Sequence, residues 1–318
     1  AEDRLELVQN LYVANVRNRL RELETPDTDL KKRWIWELIQ NAKDCSKEAA
    51  CFIKNTDKLP FTRKNQTVDI KIQYDKSKKM VVFMHNGFPF TNRTLDSLMY
   101  KNSTKESEDD NTGRFGTGFM TSHTLSRVVP INAPFLSYVN KKWELSYISA
   151  IVYREGSSDK QLKQEFLKME KSKKCYKYDP NNEMHKWTIF QYQLTNDIGF
   201  QSAELGIQSF RENIMEVLLF CEEINSIQLN NEDTIFSSAV SKNNNLTQTL
   251  VKQNIFTNIQ VVEKVIVYSK QRTFIVATVD DPNVEYSKKY SKDHDKDYSE
   301  KRLKCSIAFE IDSNRNII

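Results

Sequence analysis

The 318 residues carry 47 Lys and Arg against 43 Asp and Glu, a formal charge of +4, with 39% hydrophobic and 28% charged residues. That length allows one large domain or two ordinary ones of roughly 100–200 residues. No apolar run approaches the roughly 18 to 20 residues that span a bilayer, and so small a charge imbalance neither requires nor excludes a nucleic acid partner. The five cysteines, Cys45, Cys51, Cys175, Cys221 and Cys305, lack the spacing of a zinc site and the density of a disulfide framework, so reduced cytoplasmic thiols are expected. The opening AEDRLELVQN has neither the basic start nor the apolar core of a signal peptide, and its missing Met points to a trimmed start. Glycine is scarce, at about 2% against a usual ~7%. Even so, Gly113, Gly116 and Gly118 cluster.

Helical periodicity predicts a first helix over Leu5 to Leu23, and TPDTD supplies turn and N-cap chemistry before a second, from about Leu30 to Ala50. VDIKIQY (Val68 to Tyr74) and KMVVFM (Lys79 to Met84) read as a strand hairpin around DKSK, closed by the turn HNGFPF. The polar stretch from Asn102 to Thr112 reads as a mobile loop leading into GRFGTGFMTSHTL, a glycine turn that opens a helix. Strands are expected over Trp143 to Tyr153 and Lys186 to Leu194, separated by a lysine-rich surface helix and loop. A second α+β unit starts near Gln201 with a helix from about Ala203 to Glu223, followed by the β-rich runs IQVVEKVIVY, RTFIVATV and LKCSIAFEI. The charged stretch before the last of these has the composition of a flexible loop, and the second unit is expected to be cut short. No internal repeat is visible.

In WELIQNAKDC, Glu37, Asn41 and Asp44 stand at i, i+4 and i+7 on one helix face, with Trp34, Ile35, Leu38, Ile39 and Ala42 as apolar packing. Such a face is either a solvated stripe or a site. A carboxylate and an amide one turn apart can polarise a water and hold a magnesium ion through the amide oxygen. Glycines at 113, 116 and 118 ahead of a helix would let backbone N–H groups approach phosphate, or serve as a hinge. The spacing matches neither a Walker loop nor the dinucleotide GxGxxG.

Taken in order, these segments resemble the Bergerat-type ATPases of the GHKL superfamily. ELIQNAKD looks like the first motif, HNG sits where the second usually reads Asp plus Gly, and GRFGTGF resembles the lid-closing glycine motif of the ninety-kilodalton heat-shock and sacsin-like branches. WTIFQYQL is similar to the final strand, whose threonine, here Thr188, helps bind adenine. The resemblance covers about residues 28 to 195.

It implies an α+β fold: a Bergerat sandwich over residues 1–200, with helices on one face of a mixed, largely antiparallel sheet, then a partial coupling domain over 201–318. It also implies magnesium-dependent ATP binding and slow hydrolysis, used as a conformational switch in a larger protein. Glu37 would be the catalytic base and Asn41 the magnesium ligand, with Asp44 behind them. Nucleotide contacts would come from His85, Asn86, Gly87 and Thr188, from Lys105 in a lid running from about Thr91 to Thr112, and from Gly113, Arg114, Phe115, Gly116, Thr117, Gly118 and Phe119. Phe115 and Phe119 also read as packing aromatics.

His85 departs from the pattern. It stands where an aspartate accepts the adenine amino proton, a task an imidazole can perform only through a bare nitrogen. Expected partners are ATP and ADP, downstream domains of the same polypeptide and a nucleotide-dependent homodimer, with no membrane. Nucleic acid is not indicated, although the lysines from Lys160 to Lys177 keep it in view beside a solvated helix face. A second unit would contribute a basic residue to the phosphate, with Lys264, Lys270 and Arg272 as candidates, while His123, His185 and His294 read as packing or surface residues. The competing readings are a nucleotide-binding pseudoenzyme and a DNA-processing ATPase of the mismatch-repair or topoisomerase kind.

Overall fold

The computed structural model describes residues 2–54, 67–100, 118–230, 235–242, 259–268, 270–280, 304–313 and 317. It divides into two compact units, residues 1–213 with 226–233, and residues 214–225 with 234–318. The first contains helices α1 (Glu2–Glu22), α2 (Thr28–Lys54), α3 (Asn92–Tyr100) and α4 (Asp159–Ser172), and the front of α5 (Asp197–Phe220). Its strands are β1 (Val68–Asp75), β2 (Met80–His85), β3 (Val128–Val139), β4 (Lys142–Tyr153), β5 (Lys174–Lys177) and β6 (Thr188–Gln193), joined by β7 (Ile224–Leu229) from beyond α5. No helix among the described residues is long and apolar enough to cross a membrane.

These strands form a mixed sheet in the order β7-β1-β2-β6-β3-β4-β5. β1 with β2, β2 with β6, β6 with β3, β3 with β4, and β4 with β5 are antiparallel. At the other edge, the Ser226 hydroxyl reaches Asp69 and the Asn230 N–H reaches the Ile72 carbonyl, so β7 runs in the direction of β1. Alternation sets the faces: Val68, Ile70 and Ile72 of β1 and Val81, Phe83 and His85 of β2 are buried, and α2 packs on β1. On the opposite face Val82, Met84 and Ile189 form a smaller apolar cluster with Met80 and Trp187.

The two expected helices and the β1–β2 hairpin form close to their predicted limits. Strand β3 was not foreseen, because Pro130 and Pro134 argue against an interior strand. Its backbone resolves the conflict. The Pro134 carbonyl accepts from Phe90 N–H at 2.8 Å and Leu136 N–H donates to the Phe90 carbonyl at 2.7 Å, so even-numbered positions face away from β4. The missing proline N–H groups therefore fall on the side where pairing with β6 spans only Ile131 and Asn132. A tight turn at Asn140 and Lys141, both at positive φ (48° and 62°), then closes the β3–β4 hairpin.

Gly118 opens a 3₁₀ helix, Phe119–Thr124, rather than an α-helix. The hydroxyls of Thr121, Ser122 and Thr124 each donate to the carbonyl three residues back, at 2.7, 2.7 and 2.9 Å. Such local bonds favour the tighter winding. The expected lysine-rich helix is α4, started by a Ser158–Gln161 capping box, and the loop after it contains the unforeseen short strand β5. Helix α3 takes up the start of the expected lid, with Leu95, Leu98 and Met99 buried, whereas residues 101–117 lie outside the described residues.

The division of the chain falls within α5, whose front half is tied to α2. Trp34 Nε1 donates to the Ser202 carbonyl at 2.8 Å, Trp36 Nε1 donates to Ser209 Oγ at 3.0 Å, and Trp36 stacks on Phe210. In the second unit, β8 (Ile235–Lys242), β9 (Ile259–Tyr268), β10 (Lys270–Asp280) and β11 (Lys304–Ile311) make an antiparallel sheet in chain order.

Gly206 leaves the space that Trp34 fills: a Cβ there would lie 2.6 Å from Trp34 Cε2 and 2.9 Å from Cζ2. A buried indole cannot retreat without losing its bond to Ser202. Gly206→Ala should therefore destabilise the first unit by about 1–3 kcal/mol despite the better helix propensity of alanine. Urea denaturation of parent and variant checks this; an unchanged or raised midpoint contradicts the packing.

Candidate functional site

Helix α2 turns the face carrying Glu37, Asn41 and Asp44 inward. Asp44 is only 1% exposed, the Glu37 side chain is 13% exposed and Asn41 is half-buried, between the fully buried Trp34, Ile35, Leu38 and Ala42. A solvated stripe would not be covered in this way. The 3₁₀ helix packs on α2 and meets this face at Glu37.

The contact between these elements is close at Gly118, the N-cap of the 3₁₀ helix. A Cβ on Gly118 would lie 2.9 Å from Glu37 Cδ and closer still to Oε2. With φ −68° and ψ −45°, Gly118 is in ordinary helical conformation, so the glycine supplies room rather than backbone freedom. The other carboxylate oxygen of Glu37, Oε1, accepts from Arg33 Nε at 2.8 Å.

At the far end of β2 the second motif builds a compact turn. The Gly87 N–H donates to His85 Nδ1 at 3.1 Å, and a Cβ on Gly87 would meet His85 Nδ1 at 2.6 Å and Cys45 Cβ at 2.8 Å. Since Nδ1 accepts from the backbone, neutral His85 carries its proton on Nε2. The acceptor nitrogen that an adenine amino group would need is thus engaged by the chain itself. The His85 ring stacks on Phe190 at 6.2 Å between centroids, and in the β2–β6 ladder His85 stands opposite Thr188. The Thr188 Oγ1 is fully buried and has no hydrogen-bond partner among the described residues.

Asn86 is used structurally. Its Oδ1 accepts from the Asp69 N–H and its Nδ2 donates to Asp69 Oδ2, both at 2.8 Å, while Ser226 donates to Asp69 Oδ1 at 2.6 Å.

Beneath the 3₁₀ helix lies a residue the sequence did not single out. Arg154, at the end of β4, is 0% exposed. Its Nη2 donates to the carbonyls of Leu98 and Met99 at 2.9 and 3.1 Å, and its Nη1 donates to Met120 Sδ and His123 Nε2, both at 2.8 Å. Burial lowers its pKa from the usual guanidinium value, with Tyr12 and Glu165 opposing the shift. A guanidinium has no acceptor, so His123 Nε2 must accept, and Nδ1 then donates to the Ser126 carbonyl at 2.9 Å. Burial first, then Arg154, holds the His123 pKa well below 6.5. Phe119 packs edge-on to His123 and tilted on Phe190.

Of the residues predicted from sequence, the structure brings Glu37 against Gly118, and His85, Gly87 and Thr188 together at the β2–β6 end. Lys105, Gly113, Arg114, Phe115, Gly116 and Thr117 lie outside the described residues, as does His294. Among the described residues no cluster of His, Cys, Asp and Glu has metal-binding geometry. His185 stacks on Tyr147 at 4.1 Å and accepts from the Asp179 N–H. In the second unit Arg272 is held by Glu310, and the side chains of Lys264 and Lys270 lie outside what is described. Arg33 was detectable as the basic residue one turn before Glu37, whereas Arg154 had no local pattern to betray it. No protein-family model matches the chain, and no curated protein matches it.

The His123 geometry fixes a pH dependence. With a folded pKa below the unfolded value, the unfolded chain takes up a proton below about pH 6.5 while the folded chain does not. The contribution of His123 to stability should be complete above that pH and fall by up to about 1.4 kcal/mol per unit below it, until the folded pKa is reached. Denaturant titrations between pH 7.5 and 5 on the parent and His123→Gln should differ in slope; parallel curves would exclude His123 as the source.

Proposed function

We propose that the chain binds ATP with magnesium and hydrolyses it slowly, acting as a nucleotide-driven conformational switch in a larger, heat-shock-90-like or sacsin-like protein, in the cytoplasm. The observation that carries this reading is the meeting of Glu37 with Gly118, which joins the acidic motif of α2 to the glycine-rich motif far along the chain. The motif resemblance supplies the nucleotide; the inward-turned α2 face is what a site, rather than a solvated stripe, requires.

In this reading the γ-phosphate lies near the N-terminus of the 3₁₀ helix. Glu37 accepts a proton from the attacking water through the oxygen that faces Gly118. As the new phosphorus–oxygen bond forms, the bond to the β-phosphate oxygen breaks and ADP leaves with that electron pair. Asn41, one turn from Glu37 on the same face, would hold magnesium through its amide oxygen, and the ion would supply charge neutralisation at the phosphates. The buried, unpartnered Thr188 hydroxyl fits a base-binding role. His85, with Nδ1 engaged by Gly87, orders the turn and leaves reading of the adenine amino group to other atoms.

Calorimetry with ATP, with and without magnesium, tests binding, and phosphate release tests turnover. Glu37→Ala should keep affinity and lose about 10²–10⁴-fold in kcat. Unchanged turnover removes Glu37 as the base, and binding without any turnover in the parent favours the pseudoenzyme reading. Stimulation by DNA would favour the DNA-processing reading.

Thr188→Val separates a binding role from a folding role. Removing a buried hydroxyl that has no partner should leave stability unchanged or raised, while ATP affinity should fall roughly five- to 150-fold, the equivalent of about 1–3 kcal/mol. A variant that binds ATP as tightly as the parent excludes Thr188 from the base pocket.

A further inference from the structure

The carboxylate of Glu37 is held from two directions. Oε1 accepts from Arg33 Nε at 2.8 Å, one helical turn back, and Oε2 faces the bare Cα of Gly118. The terminal torsion of a glutamate is broad and roughly two-fold, so side-chain packing alone does not decide which oxygen, or which lone pair, is presented. A hydrogen bond to one oxygen does decide it. The partners differ sharply in exposure: Arg33 is 59% exposed and Glu37 is 13% exposed. An exposed pair at i,i+4 is a minor helix contact, but here a surface guanidinium bonds a carboxylate that is itself largely buried beside Gly118.

Arginine suits the task. Its guanidinium offers only donors, so it occupies Oε1 and leaves Oε2, beside Gly118, with no hydrogen-bond partner among the described residues.

We infer that Arg33 is a positioning residue for the reaction proposed above: it orients the Glu37 carboxylate so that Oε2 meets the attacking water, without itself touching the nucleotide. The inference rests on the ATPase reading, because without hydrolysis there is no water for Glu37 to deprotonate. It adds a residue outside the four motifs and assigns it a kinetic signature. Misplacing a base affects the chemical step, whereas loss of an exposed helix ion pair affects neither nucleotide affinity nor the melting point appreciably.

The test uses the purified chain and its Arg33→Ala, Arg33→Lys and Glu37→Ala variants, each assayed for ATP turnover, ATP affinity and thermal melting. Arg33→Ala should lower kcat about tenfold or more, as displacement of a reacting group does. ATP affinity and melting temperature should stay at the parent values. Arg33→Lys restores a donor but not the planar fork, so it should recover turnover only to within about threefold of the parent. Turnover that Glu37→Ala abolishes but Arg33→Ala leaves intact overturns this inference and spares the ATPase reading. A fall in affinity equal to the fall in kcat, or a lowered melting temperature, also overturns it, by making Arg33 a binding or structural residue. A parent with no turnover overturns both.

Discussion

A full positive charge buried beneath the candidate site is the constraint on which the first unit turns. Arg154 is sealed from water and makes no carboxylate ion pair within bonding distance among the described residues. A charge in such a place is tolerable only where most of its donors find acceptors; both Nη groups do, whereas Nε has no hydrogen-bond partner among the described residues, and removing partners from a buried charge typically costs about 3–5 kcal/mol. Its partners are the last carbonyls of α3, the thioether of Met120 and the imidazole of His123. Two separate stretches of chain therefore have to converge on one guanidinium, and the 3₁₀ helix acquires a fixed floor.

From that floor the rest of the site follows. The 3₁₀ helix carries Gly118 at one end and His123 near the other, so the atoms that settle its depth beneath α2 also settle how near Gly118 comes to Glu37. Phe119 sits between these layers, in contact with His123 on one side and with Phe190 of β6 on the other. Phe190 in turn stacks on His85, which joins the acidic end of the site to its β2–β6 end through a continuous run of rings. Side chains packed in this way transmit strain from one to the next.

How far the sequence could be read depended on whether a feature was local. The helices α1 and α2, the β1–β2 hairpin and strands β4 and β6 have periodicity and turn residues within a short window, and they form close to where those signals put them. The face carrying Glu37, Asn41 and Asp44 was legible for the same reason. Strand β3 was hidden because the rule against interior prolines assumes full pairing on both sides, and pairing with β6 lasts only two residues. The 3₁₀ helix was misread as an α-helix because its hydroxyls bond back along their own chain. The Arg154 cluster was invisible: its members lie at residues 98, 99, 120, 123 and 154, and no window of sequence contains them. For His85 the residue type alone left its acceptor nitrogen unassigned, and only the fold engages it with Gly87.

Strand β7 has a consequence for where the chain can be divided. It lies beyond α5, yet its residues from 226 complete the first unit, covering the edge of β1 and bonding Asp69, which in turn holds Asn86 next to Gly87. A fragment ending at α5 would expose the ladder edge of β1, an open invitation to pair with a foreign strand. The loss would travel through Asp69 to the turn that orients His85. The first unit is thus not a detachable module of the usual kind: its covalent boundary and its folding boundary differ, and the chain has to leave it and return before it is whole.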